Sequence, residues 1–415
     1  PATGRGTARV AGLLGVAALV LASPAAALDE LSPEPLERAA VLALPSVYRV
    51  ETRVEVPALR TRSGELYRLP AGGRTITELG TAFAVSPDGV LVTAAHVAAP
   101  TGRTLALSAA PVALAARGKV HSERFLGQWV RQQDVRPAGA RVVSIRVWPA
   151  VPDGRSRSAR PLQARVMAGG IDRDDDLALL RIPARGIPAL TLDDATTVET
   201  PIVTVGFGSS DPFGDTAESA PVPTVRRGEL GPRVVVESLP EPLLTFITAP
   251  VENGDSGGPA VDAEGRVRGV VRLEHTVRET GQRGGIIEQA SRVRLLMDRL
   301  DVTNRPGPAA AAFRRGMEHL WGLEAARAEE DFARTLDAAP SHALAARARV
   351  RAEELQAARF RLAGAGWTRG LLLGAALVSA LASAACLGLL AGAPRRPGAP
   401  VGAGAPLRRR RVPRD

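Results

Sequence analysis

Three places in this sequence carry side chains and neighbours suited to covalent nucleophilic catalysis. Ser256 lies in Thr248-Ala-Pro-Val-Glu-Asn-Gly254-Asp255-Ser256-Gly257-Gly258-Pro259. A serine between glycines sits on a tight turn with little side-chain cover. Glycine lets the backbone take strained angles and lets a substrate approach closely. Successive N–H groups in such a turn can converge on one point and bind a developing oxyanion. His96 closes the segment Gly80 to Val97, in which apolar residues bracket the turn signal Pro87-Asp88-Gly89. The pattern predicts a β-hairpin running into a short turn that ends at His96, where rigid backbone would hold a general base. The third piece, Asp172-Arg-Asp-Asp-Asp176-Leu-Ala-Leu-Leu-Arg-Ile182, joins an acidic run to a strand-like apolar segment. A carboxylate at that junction can accept a hydrogen bond from an imidazole N–H, fixing the tautomer and stabilising the imidazolium. Acidic runs are usually solvated, so this piece carries little by itself.

Such residues need a frame. Between 140 and 290, short alternating stretches are separated by Gly, Pro and Asp turns with no long helical pattern, which predicts antiparallel β-structure. The interval between His96 and Asp176 contains Arg103–Ala140, Ala/Leu-rich at its start and polar around His121–Gln133. It reads as an insertion: a lid, a partner site or a helical decoration. Asn304-Arg-Pro-Gly-Pro308 is a linker signal, and residues 310–360 are Ala/Arg/Glu/Leu-rich with a helical period.

Composition narrows the function. The chain of 415 residues is 45% hydrophobic, enough for a sizeable core, and its net charge is +10. A strongly basic surface attracts nucleic acid, but here the charge sits at the two ends. Arg5 and Arg9 precede residue 28 with no acid, and Arg395, Arg396, Arg408, Arg409, Arg410, Arg411 and Arg414 crowd the last stretch against Asp415 alone. The middle is close to neutral, so no nucleic-acid partner is expected. Cys386 is the only cysteine, which excludes an intrachain disulfide.

The ends read as membrane topology. A basic start, the apolar run Val10–Ala22 and Ala25-Ala26-Ala27 have the form of a secretory signal or an uncleaved anchor. Gly370–Gly392 is uncharged and apolar, and at roughly 20 residues it is long enough to span a bilayer. Trp367 precedes it, and the arginine-rich flank that follows places the tail in the cytoplasm. The expected organisation is a signal peptide at 1–27, a lead-in at 28–45, a catalytic domain at 46–300 and a linker at 301–310. A helical unit at 311–362, a transmembrane helix at 369–392 and a basic cytoplasmic tail at 393–415 follow.

The three chemical pieces resemble one family. Thr93-Ala94-Ala95-His96, Asp176-Leu177-Ala178-Leu179 and Gly254-Asp255-Ser256-Gly257-Gly258-Pro259, in that order, resemble the trypsin-like serine peptidases. Leu44–Val50, Val203–Gly208 and Gly265–Val271 look like strands of the bacterial HtrA-type proteases, extending the resemblance over about residues 40–300. No segment resembles a PDZ domain. The resemblance implies a mainly β fold of two six-stranded antiparallel barrels, with the active site in the cleft between them. His96 and Asp176 would come from the first barrel and Ser256 from the second, followed by a short α-helical hairpin and the membrane helix. It also selects Asp176 from the acidic run, with Asp175 and Asp174 as fallbacks. The implied activity is peptide-bond hydrolysis through an acyl-enzyme, without cofactor or metal. Gly254, Asp255 and Ser256 would form the oxyanion hole.

Other features are less determined. A trypsin-type zymogen pairs the residue at Asp255 with a new N-terminus, and no activation sequence precedes Val47. Asp255 therefore either finds another partner, such as an arginine, or points to solvent. The pocket for the residue before the cut is expected at Thr248, Pro250, Val271 and Arg272, and the HtrA resemblance implies a small or medium apolar side chain there. His121, His275, His319 and His342 lack a metal-ligand spacing and read as surface residues. Gly316, Ala328, Phe332 and Pro340 fall at the offsets of one tetratricopeptide repeat, a unit that could bind a protein partner. A second function fits the same sequence: a sensor or scaffold that keeps the protease fold and binds partners through the helical unit.

Overall fold

The computed structural model describes residues 33–364, apart from 72–73, 101, 120–121, 151–159, 173–174, 196, 209–221, 235–243 and 277–282. The segments read as a signal peptide, membrane helix and cytoplasmic tail lie outside the described residues. Among those residues, no helix is long and apolar enough to cross a membrane.

Two closed antiparallel barrels form the centre. The first is built from β1 (Val47–Glu55), β4 (Thr75–Ser86), β5 (Val90–Ala94), β9 (Asp175–Arg181), β8 (Leu162–Asp172) and β7 (Arg141–Pro149), in that order around the barrel. The second runs β10 (Pro201–Gly206), β11 (Thr224–Val234), β12 (Leu244–Ile247), β15 (Arg283–Gln289), β14 (Val267–Thr276) and β13 (Pro259–Asp262). Alternation along the strands explains the packing. In β5 and β9, Leu91, Ala178 and Leu180 fill the first barrel, whereas Val90, Val92, Leu177 and Leu179 face the seam between barrels. There they meet Val203, Val205, Val261 and Val267 of the second barrel. Both faces of these strands are buried, so their sequences are unbroken apolar runs rather than alternating ones. Ile202, Leu230, Ile247, Val271 and Ile287 fill the second barrel.

The insertion is a helical decoration with a small sheet. Helices α3 (Gly102–Ala115) and α4 (Glu123–Gln132) pack over a three-stranded sheet of β3 (Leu66–Arg68), β2 (Ala58–Arg60) and β6 (Arg136–Ala138). Leu59, Leu69, Leu105, Ala109 and Val130 make its separate core, with the Tyr67 and Trp129 rings edge to face at 5.1 Å.

The lead-in contains α1 (Pro35–Ala43), whose Ala39, Ala40 and Ala43 join the seam between barrels while Val41 packs into the helical unit. The linker is docked, because Asn304 donates to the Val85 and Leu190 carbonyls, each at 2.8 Å, and accepts the Leu192 N–H at 2.9 Å. The C-terminal unit is not a hairpin but three helices, α6 (Gly307–Trp321), α7 (Ala325–Ala338) and α8 (Ala343–Gly364). The apolar residues of α8 continue the periodic face of α7 and close over Phe313, Met317 and Phe332, a surface that two helices would leave wet. After α5 (Ala290–Asp298), the chain reaches this unit through the docked segment.

Candidate active site

Strand β5 stops at Ala94, and His96 lies in the single turn α2 (Ala95–Ala98) that follows. Ala95, Val97 and Ala98 of that turn are buried, which fixes the backbone and leaves the imidazole facing out. Asp176 stands one strand away on β9, where Leu177 pairs with Ala94. Its carboxylate accepts the His96 backbone N–H on Oδ1 at 2.9 Å and meets His96 Nδ1 with Oδ2 at 2.7 Å. An ionised carboxylate can only accept, so Nδ1 carries the hydrogen and Nε2 presents a lone pair. Glu78 on β4 lies close enough for a protonated His96 to lower its carboxyl. Burial pushes its carboxyl up against the pull of the Ser108 hydroxyl from α3.

Ser256 approaches from the second barrel. Gly254 and Gly257 flank it at φ +97° and +89°, left-handed conformations that favour glycine. A Cβ on Gly257 would lie 2.1 Å from the Thr81 carbonyl oxygen, so the turn presses on β4 of the first barrel. Thr81 completes that contact: its N–H donates to the Ser256 carbonyl at 2.9 Å and its hydroxyl to the Gly254 carbonyl at 2.7 Å. The Ser256 hydroxyl donates to the Arg272 carbonyl at 2.9 Å. Among the described residues, the Gly254 and Ser256 amides have no acceptor. The Asp255 amide is different. It donates to the Glu252 carbonyl at 3.1 Å and is turned away, which corrects its place among the oxyanion donors.

The Asp255 side chain is 2% exposed and points inward. It accepts from Gly208 N at 2.7 Å, Glu252 N at 3.0 Å and Thr224 Oγ1 at 3.2 Å, and Arg226 Nε lies 3.5 Å away. Burial pushes this carboxyl up, opposed by those N–H groups and by the Arg226 guanidinium. Arg226 also binds Glu252, so a cation from the chain itself holds the turn in place of a freed N-terminus.

Residues 80–270 match the family model of the trypsin-like peptidase domain. Over these residues the chain carries a trypsin-like peptidase domain. Among solved structures, it is similar to the active form of the Rv3671c protease of M. tuberculosis, with 20% identity over 66% of this chain and 90% of that one and a TM-score of 0.38. The Yersinia pestis serine endoprotease shares 17% identity over 65% of this chain and 67% of that one, with a TM-score of 0.37. The HtrA-type protease AlgW, solved with a decapeptide, shares 18% over 63% and 66%, with a TM-score of 0.40. No curated protein gives a significant match.

Two of the residues expected to line the specificity pocket have their side chains elsewhere. Val271 is 1% exposed in the core of the second barrel. The Arg272 guanidinium runs to Glu288 and Asp176 instead of lining a pocket. The Thr248 hydroxyl accepts the Glu229 N–H at 2.8 Å, and Pro250 is exposed. Sequence reasoning missed Glu288 altogether, although a lone glutamate in the apolar run Gly285-Ile-Ile-Glu-Gln-Ala290 was the available signal. Of the histidines read as surface residues, one is buried and another is only partly covered. His342 is 5% exposed against Phe313, and His319 is half-buried on Asp331. The His121 and His275 side chains lie outside the described residues.

Proposed function

We propose that the chain is a membrane-anchored, extracytoplasmic endopeptidase with Ser256 as nucleophile, His96 as general base and Asp176 as the acid that orients it. The observation that carries this reading is the double hydrogen bond from His96 to the Asp176 carboxylate, which leaves Nε2 free to take a proton. The Ser256 hydroxyl leaves the Arg272 carbonyl and gives its proton to Nε2 as Oγ bonds to the peptide carbonyl carbon. The Gly254 and Ser256 amides receive the oxyanion, each worth about 3–4 kcal/mol. His96 then protonates the leaving amine as the C–N bond breaks, and water, deprotonated by His96, releases the acyl group. No metal or cofactor enters these steps. Protein or peptide chains are the substrate class, and the apolar segment 370–392 with its basic flank supports the anchoring.

A fluorophosphonate probe tests the reading. The wild-type chain should lose fluoride from the probe and gain a phosphonyl ester at Ser256, and Ser256→Ala should stay unlabelled. Equal signals from both proteins would leave the scaffold reading, with partners bound at the helical unit, in its place.

A further inference from the structure

A second pair of charges lies behind the triad acid, and the hydrolytic steps make no use of it. Arg272 is the extra residue of a bulge in β14: Val271 pairs with Ile287 and Leu273 with Ile286. A bulge takes one residue off the inward–outward alternation and re-aims its side chain. The guanidinium spans two carboxylates, with NH1 at 3.1 Å from Glu288 Oε1 and Nε at 3.6 Å from Asp176 Oδ2. Glu288 comes from β15, is 1% exposed, and takes the Asp176 backbone N–H on the same Oε1 at 2.9 Å. A cation and an anion of the second barrel thus both touch the one residue of the first barrel that holds His96.

A buried ion pair is costly, and an apolar pair of the same volume commonly serves stability as well or better. Its location gives it another use. The negative charge on Asp176 stabilises the imidazolium that forms when Ser256 attacks. A guanidinium beside Oδ2 draws on that charge, and a carboxylate beside the Asp176 backbone restores it. Among the described residues, the charged groups around the His96–Asp176 pair are Glu78 from β4, which couples to His96, and Arg272 from β14 and Glu288 from β15, which touch Asp176.

We propose that Arg272 and Glu288 are positioning residues that set the grip of Asp176 on the His96 proton, Arg272 loosening it and Glu288 tightening it. The inference rests on the triad reading above.

The test is the rate of fluorophosphonate labelling of the full chain as a function of pH, which needs no known substrate. Arg272→Gln should move the midpoint of the acid limb up by about one pH unit, and Glu288→Gln should move it down by about one. The double variant, which removes both charges, should return close to wild type, and Arg272→Lys, which keeps the charge, should stay there. If Arg272→Gln does not fold, Glu288→Gln and the double variant still give opposed expectations, a downward shift and none. Midpoints that coincide in every protein, or single variants that move in the same direction, would overturn the proposal, because a merely structural pair lowers the rate without opposed shifts. A wild-type chain that does not label removes the triad reading and this inference with it. Labelling with unmoved midpoints removes only the inference.

Discussion

At the scale of single residues, the site depends on which atoms of Asp176 are occupied. Its two oxygens take one N–H each from His96, so an amide in its place must offer an N–H where a lone pair is needed. Asp176→Asn should leave the fold intact and turn the imidazole to the tautomer that cannot accept from Ser256. The expected loss in kcat/KM is about a thousandfold or more, read by turnover or by labelling rate. Full activity in this variant would remove Asp176 from the mechanism. The settings of His96, Ser256 and the glycines around the serine were legible because they are local: a short turn after a strand and a glycine-flanked bend. The direction of the Asp255 amide was not legible. It is settled by the Glu252 carbonyl and by the burial of the side chain, neither of which the Gly-Asp-Ser-Gly string specifies.

At the scale of elements, the serine turn is held from three sides: β4 through Thr81, the Gly208 amide that follows β10, and Arg226 on β11. The sequence left Asp255 with either a partner such as an arginine or a place in solvent. Which arginine depends on the register that sets Arg226 opposite Thr204. Arg226→Met leaves a buried carboxylate without its cation, which is far more costly than replacing both partners. The oxyanion amides should lose their alignment, with kcat/KM down about tenfold to a hundredfold. Binding of a peptide aldehyde, whose carbonyl carbon becomes tetrahedral when the Ser256 oxygen adds to it, should show the same loss in affinity, and unchanged binding would relieve Arg226 of this role. The unbroken apolar runs of β5 and β9 predicted strands correctly, because both of their faces are buried in the seam and the barrel. The bulge at Arg272 was hidden, since a bulge exists only relative to a partner strand.

At the scale of the whole molecule, the helices beyond residue 306 are joined to the peptidase domain through α1, whose Val41 packs with Phe313, Phe332 and Leu344. Buried His342 packs at a tilt against Phe313, ring centroids 4.6 Å apart, its Nδ1 accepts the Ala345 N–H, and among the described residues Nε2 has no partner. Burial pushes this imidazole down from 6.5 to about 4. The unfolded chain takes up a proton below pH 6.5 that the folded unit refuses, so the stabilisation is full above that value and lost as pH falls toward 4. Hydrogen-exchange protection of α8 should therefore be about 2 kcal/mol lower at pH 5 than at pH 7, and His342→Phe should flatten the dependence. A pH-independent protection would mean that the imidazole is not sealed. Sequence periodicity found these helices but placed His342 outside, because the ring is covered only when α6 and α8 meet. The Asn304 clasp has a mechanical consequence. It fastens β4, the connection between barrels and the exit from the second barrel at one side chain. Tension on the far end of α8, such as an anchored tail would exert, would reach the seam between barrels by two routes, this clasp and the packing of α1 against the helices.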